Sequence, residues 1–151
     1  MKTFSKILVG IIIGMMSFVT SSCTKDDNYQ KKIEGKWEMT HVTEEVYENG
    51  KLVDSDESKE QAGTVLEFKS DGTLIVMVII DGQTLPIPAA SWRIENGKLI
   101  LKGILDGNAE ELSLDIIELK ASSMILASSY EYNDDDEVKI KEVATVYFVR
   151  K

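Results

Sequence analysis

The stretch Ser91–Leu101, SWRIENGKLIL, decides the fold class that this sequence predicts. Trp92 and Ile94 alternate with charged residues before the Asn96–Gly97 pair, and two leucines share a face after it. Alternation with a period of two places apolar side chains on one face of a strand. An Asn-Gly pair supplies the positive φ angles that a tight hairpin requires. The stretch therefore predicts two antiparallel strands, each with one face toward a core.

Similar runs recur along the chain at regular spacing, and turn-forming residues separate them. The turns are predicted at Asn49-Gly50, Asp71-Gly72, Asp81-Gly82, Asn96-Gly97, Asp106-Gly107 and the run from Asn133 to Asp136. Eight strands are predicted over 35–48, 64–69, 73–80, 91–95, 98–104, 110–119, 124–132 and 138–150, and one short helix over 29–34. A change of phase at Ile116-Ile117 predicts a bulge. Five hairpin signals of this kind predict an all-β sandwich or barrel.

Several short motifs carry a family resemblance. Gly35-Lys36-Trp37 opens the first predicted strand with the pattern G-x-W, and the stretches LEFKSDGTL (66–74), SWRIENGKLIL (91–101) and VYFVRK (146–151) follow it. Together they resemble the lipocalin-like domain found in many lipoproteins of Gram-negative bacteria. The resemblance covers residues 33–151 and implies an antiparallel up-and-down barrel of eight strands. It also implies that Trp37 closes one end of the barrel beneath an arginine of the last strand, Arg150, with Arg93, the other arginine of the chain, as the alternative.

The first 22 residues differ in composition from the rest of the chain. Lys2 and Lys6 are their only charges, an apolar run (ILVGIIIGMMSF) fills positions 7–18, and small polar residues end the segment. A basic start, a short apolar core and a small-residue site are typical of a secretory signal peptide, and the run is short for a membrane span. Residues 1–22 are therefore predicted as a signal peptide, 23–32 as a tether and 33–151 as the barrel domain. A membrane anchor is the alternative for the first segment.

The chain contains one cysteine, Cys23, which directly follows the small residues. This arrangement resembles the lipobox of bacterial lipoproteins. The resemblance implies cleavage before Cys23 and acylation of the cysteine with chains such as palmitate. Several acyl chains anchor a protein stably in a membrane, whereas a single chain does not. Lys25, Asp26 and Asp27 resemble an export signal for the outer face of the outer membrane. The predicted location is the outer membrane with the barrel on the cell surface. A periplasm-facing lipoprotein with a plain solvated tether is the alternative.

An acidic charge excess excludes some partners. The chain has 17 basic and 26 acidic residues, and residues 1–22 hold two of the basic ones and none of the acidic ones. The part from Cys23 onward therefore has 15 basic and 26 acidic residues, a net charge of −11. Such a surface repels phosphate backbones, so nucleic acid is not expected as a partner. A single cysteine also excludes an internal disulfide.

Residues that could support catalysis are scarce. A lone histidine in a strand, here His41, is typical of a hydrogen-bonded wall residue, and the serines lack a G-x-S-x-G motif. No phosphate-binding glycine loop or zinc-ligand cluster is present in the sequence. The acidic runs at 54–57 and 133–137 offer oxygen ligands for calcium but lack the order of a preorganised loop, so they are predicted as solvated turns. The sequence predicts no enzyme, no cofactor and no metal site, and a hydrolase remains a third alternative.

An eight-stranded barrel holds one small ligand or fills itself with side chains. Alternation assigns to its interior a set of mostly apolar residues with three polar handles. The predicted ligand wall consists of Trp37, Met39, His41, Leu66, Phe68, Leu74, Val76, Trp92, Ile94, Leu99, Leu101, Tyr130 and Tyr132. Such a lining suits a small hydrophobic ligand. The alternative is a packed core, with a protein or glycan partner bound at the loops or at the Leu74–Ile80 strand, whose two faces are both apolar.

Overall fold

A computed structural model describes residues 23–105, 108–134 and 137–151 of the chain. The signal-peptide prediction for residues 1–22 lies outside the described residues, as does the side chain of Cys23. The described part contains one helix, α1 (Cys23–Ile33), and nine strands. The strands are β1 (Gly35–Glu48), β2 (Lys51–Ser58), β3 (Val65–Phe68), β4 (Thr73–Ile80), β5 (Gln83–Glu95), β6 (Lys98–Leu105), β7 (Asn108–Leu119), β8 (Ser123–Asn133) and β9 (Lys139–Arg150). No helix in this part is long and apolar enough to cross a membrane.

The strands form a closed antiparallel barrel. Strands β3 to β9 pair with their neighbours in sequence order, β3 pairs with β1, and β1 pairs with β9 from Trp37 to Glu48 to close the ring. One edge of β1 serves two strands, because β3 pairs with its first four residues and β2 pairs with Val42–Glu48. The eight-stranded up-and-down barrel is therefore confirmed, with β2 as an additional ninth strand.

Three elements differ from the sequence prediction. β2 occupies a stretch that was expected to be a loop, because its residues other than Ser58 are exposed and no apolar alternation marks them. β5 begins at Gln83 rather than at position 91, and the prolines at 86 and 88 hid its first half because proline is depleted in strands. α1 begins at Cys23 rather than at position 29, so the segment expected to be a tether is helical.

Bulges set which side chains face the interior. The register slips at Thr40 in β1 and at Ile117 in β7, and the second slip confirms the predicted bulge. The slip at Thr40 corrects one prediction. His41 was expected on the inner face, but the extra residue turns it outward, where its ring stacks on Tyr147 with centroids 4.1 Å apart.

The buried core lies at one end of the barrel, where β1 begins and α1 packs. Its members come from α1 and from strand segments near that end: Ile33, Trp37, Phe68, Leu74, Trp92, Leu99, Leu119, Met124, Leu126 and Phe148. We call this the closed end. Several inward-facing positions toward the other end are exposed, among them Leu112 at 50% and Tyr130 at 66%. We call that end the mouth.

Candidate functional site

The closed end is sealed around one tryptophan. Trp37 is fully buried, and its indole Nε1 donates a hydrogen bond of 2.7 Å to the carbonyl oxygen of Ile33. The guanidinium of Arg150 lies 4.2 Å from the ring centroid, which is a cation–π contact. Arg93 instead forms exposed ion pairs with two glutamates. The tryptophan–arginine stacking implied by the family resemblance is therefore present, and Arg150 is the arginine that forms it.

Arg150 also joins three chain segments. Its side chain donates hydrogen bonds to the carbonyl oxygens of Ala121 at 2.7 Å, Glu34 at 2.9 Å and Lys32. Gly35 adopts a φ of +116°, and a Cβ atom there would lie 2.7 Å from Nη1 of Arg150. A residue without a side chain is therefore required at position 35 for the arginine to reach its partners.

Helix α1 is held on the closed end by polar contacts. The carboxylate of Asp26 accepts hydrogen bonds from the backbone N–H groups of Asn96 at 2.9 Å and Gly97 at 2.8 Å. Gln30 accepts one from the backbone of Ile94 at 3.3 Å. Of the three residues predicted as an export signal, Asp26 thus contacts the barrel, while Lys25 and Asp27 are exposed and the ammonium group of Lys25 lies 5.4 Å from the ring centroid of Tyr29.

The mouth contains a hollow that faces the barrel interior. It has a volume of about 580 Å³ and lies between β1, β7, β8 and β9. Its inward-facing lining combines apolar, hydroxyl and carboxylate groups from Glu44, Val46, Leu112, Ser128, Tyr130, Glu142 and Ala144. A second hollow of about 350 Å³ lies between β5, β6 and β7 and shares Leu112 with the first. Leu101 and Ala90 form part of its floor.

Two tyrosines and a glutamate form a polar group at the rim. Tyr130 and Tyr132 lie on the inner face of β8 with ring centroids 5.5 Å apart. The hydroxyl of Tyr132 donates a hydrogen bond of 2.9 Å to Glu142. This hydrogen bond, followed by partial burial and the negative charge of Glu142, raises the pKa of Tyr132 above its usual value. The tyrosine therefore stays a neutral donor across the physiological pH range.

The predicted wall residues divide between core and mouth. Trp37, Phe68, Leu74, Trp92 and Leu99 are buried in the core, and Met39, Leu66, Ile94 and Leu101 are partly buried against it. Val76 is half-buried on the inner face of β4. Of the predicted set, Leu101 and Tyr130 line the two hollows, with Tyr132 at the rim.

Several lining residues were not predicted. Counting by two from the buried Phe148 along β9 places Val146, Ala144 and Glu142 inside, so alternation alone would have found the last two. Ser128 follows in the same way from Leu126 on β8. Glu44 could not be found in this way, because the bulge at Thr40 reverses the phase of β1.

A metal centre is not formed by the described residues. No group of three or more histidine, cysteine, aspartate or glutamate side chains is placed there to hold an ion. Part of the acidic run at 133–137 lies outside the described residues.

Comparison with known proteins gives one family match. Residues 33–126 match the family described as the lipocalin-like domain, which is more than half of the chain. The match extends from the end of α1 into β8 and leaves β9, which carries Glu142 and Ala144, beyond it. A comparison with curated proteins finds no match.

Proposed function

The chain belongs to the lipocalin-like domain family, and on this premise we propose that its barrel binds one small hydrophobic ligand in the mouth. The unfilled interior carries the proposal. A hollow of about 580 Å³ falls within the range of about 300–1,000 Å³ that is usual for small-molecule sites. Leu112, Val46 and Ala144 offer apolar contact, while Ser128 and Tyr130 offer hydrogen bonds that fix an orientation. We propose no catalytic activity for this site.

The Ala144→Trp variant tests this proposal. The indole projects inward from β9 into the hollow, so an uncharged apolar dye such as diphenylhexatriene is expected to bind at least about tenfold more weakly. Fluorescence titration of residues 23–151 carrying Cys23→Ala measures the affinity, because this segment holds the whole core and closes the barrel.

A matched variant controls for the added indole. Val149 lies on the same strand but faces outward and is 43% exposed, so Val149→Trp is expected to bind the dye like the parent protein. Dye binding that is equal in both variants would reject the mouth as the site, and no binding by the parent protein would reject the function.

We further propose that the protein is an outer-membrane lipoprotein that faces the cell exterior. Asp26 contacts the turn at Asn96–Gly97, so Cys23, three residues earlier, lies at the closed end. Acyl chains on Cys23 would therefore hold the closed end near the bilayer and leave the mouth directed away from it. This geometry supports an anchored protein whose ligand arrives from the surrounding medium.

The Cys23→Ala variant is expected to abolish incorporation of a metabolically supplied fatty-acid analogue, because the thiol and the cleaved N-terminus are the acylation sites implied by the lipobox resemblance. Gel fluorescence after click labelling measures this. A Ser22→Ala variant keeps the thiol and should retain the label. Label that persists in Cys23→Ala would show that the lipid is elsewhere or that the band is not this protein.

A second candidate function is binding of a protein or glycan partner. It is favoured by the tip of the β4–β5 hairpin, where Ile79 is 77% and Ile80 is 49% exposed. β4 pairs with β3 only as far as Met77, so within the described residues its last three positions have no strand on that side. A hydrolase has less support, since His41, the only histidine of the chain, packs outside the barrel.

A further inference from the structure

One wall of the mouth is apolar and open to solvent. Above the core, the inward-facing positions of β4 and β5 pair as Val76 with Ile87 and Val78 with Leu85. Leu85 is 41% and Ile87 is 43% exposed, although both point toward the barrel axis. Apolar side chains that face the interior of a barrel and are still exposed to solvent indicate a surface that an organic ligand would cover.

Another part of the mouth wall is acidic. Across β9, β1 and β2, one row of paired positions reads Glu142, Val46 and Asp54, and the next reads Ala144, Glu44 and Asp56. All six positions lie on the same side of the sheet as Phe148, and Glu44, Val46, Glu142 and Ala144 line the 580 Å³ hollow. Glu44 and Asp56 are therefore directly opposite each other on paired strands, and two like charges in this arrangement destabilise the pairing.

These carboxylates are not neutralised by basic side chains. None of Glu44, Asp54, Asp56 and Glu142 forms an ion pair among the described residues. No lysine or arginine lines the 580 Å³ hollow or the neighbouring hollow of about 410 Å³ that Glu44 and Asp56 share. Two basic residues lie on the inner face of these strands: Arg150, which is held at the closed end over Trp37, and Lys51, which is opposite Glu48 at the hairpin tip.

We propose that the ligand is an organic cation, with an apolar body against Val46, Leu112 and Ala144 of the 580 Å³ hollow and a positively charged nitrogen near Glu44 and Glu142 of the same hollow. This inference rests on the proposed function and specifies its ligand class. A neutral apolar ligand would cover carboxylates without giving them a cationic partner, which is costly, and an anionic ligand such as a fatty acid would be repelled. A cation pairs with them and also meets the exposed ring of Tyr130, whose face attracts positive charge.

Three probes with one apolar body test the inference. Diphenylhexatriene is available with a trimethylammonium group, without a substituent and with a propionate group, so the three differ mainly in charge. Fluorescence titration of residues 23–151 carrying Cys23→Ala is expected to rank the affinities as cationic, then uncharged, then anionic. Added salt is expected to lower the affinity of the protein for the cationic probe and to leave its affinity for the uncharged probe unchanged.

A charge-removal variant places the effect in the mouth. The double variant Glu44→Gln/Glu142→Gln keeps the side-chain shapes but removes both charges. It is expected to bind the cationic probe about fivefold more weakly and the uncharged probe with nearly the same affinity. The control Glu67→Gln/Glu131→Gln removes the same charge from outward-facing positions and is expected to change neither affinity.

The outcomes separate the inference from the function on which it rests. Equal affinity for all three probes, or an equal loss in the control variant, would overturn the cationic ligand while leaving an apolar site in place. Binding of none of the three probes would overturn both. An affinity of the parent protein for the cationic probe that does not change with salt would also overturn the inference, because it would show that the cation of the probe does not pair with carboxylates of the protein.

Discussion

Replacement of Trp37 by alanine is expected to lower the free energy of unfolding by about 3–5 kcal/mol. The side chain is fully buried, and its removal leaves a cavity between α1 and the barrel strands. It also removes the hydrogen bond to Ile33 and the ring beneath Arg150. Urea denaturation followed by circular dichroism measures the loss.

A second aromatic residue controls for the size of the change. Tyr130 also faces inward, but it is 66% exposed in the mouth, so Tyr130→Ala is expected to cost less than about 1 kcal/mol. Similar losses for the two variants would mean that the core extends through the whole barrel, and would contradict the division into a closed end and a mouth.

Replacement of Arg150 by methionine is expected to lower the free energy of unfolding by about 2–4 kcal/mol. Methionine keeps much of the apolar stem but leaves three carbonyl oxygens without their charged donor. Two of these oxygens, on Lys32 and Glu34, lie where α1 joins β1, so the helix should also become more sensitive to protease. Urea denaturation and limited proteolysis measure the two effects.

The chain offers a matched control for this variant in its only other arginine. Arg93 lies on the outer surface of β5, and its ion pairs with Glu95 and Glu111 are exposed. Exposed pairs contribute little, so Arg93→Met is expected to cost less than about 1 kcal/mol. Comparable losses at the two positions would show that the contacts of Arg150 with α1 contribute no more than a surface ion pair.

The fold could be predicted because most of its strands and turns are local features. The Asn96–Gly97 pair and the apolar alternation on both sides of it predict a hairpin, and the register observed there runs from Glu95–Lys98 to Ala90–Gly103. β2 could not be predicted, because a strand that is exposed on both faces needs no apolar residues, and Asp54 and Asp56 suggest a turn instead. It forms because β1 is long enough to pair with it beyond the end of β3.

The candidate site was predicted less well than the fold, because the sequence does not show how far along the barrel axis a residue lies. Alternation distinguishes inside from outside, but it does not show how high along the barrel axis a residue lies. It therefore placed Trp37 and Leu99, which fill the core, in one wall with Tyr130, which lines the hollow. The bulge at Thr40 added a second error, since one inserted residue exchanged the roles of His41 and its neighbours on β1.

The confinement of the core to one end has a consequence for how this protein changes over evolutionary time. The buried core cluster lies at the closed end, so substitutions of exposed residues in the mouth are expected to cost little stability. Natural proteins are only slightly more stable than their function requires. Residues of a site that can be substituted with little loss of stability can therefore change and give the site a new specificity. Backbone amides near the mouth should also exchange with solvent through local opening, while those beside Trp37 exchange only on global unfolding. The scaffold thus keeps its shape by one set of residues and adapts to new ligands by another.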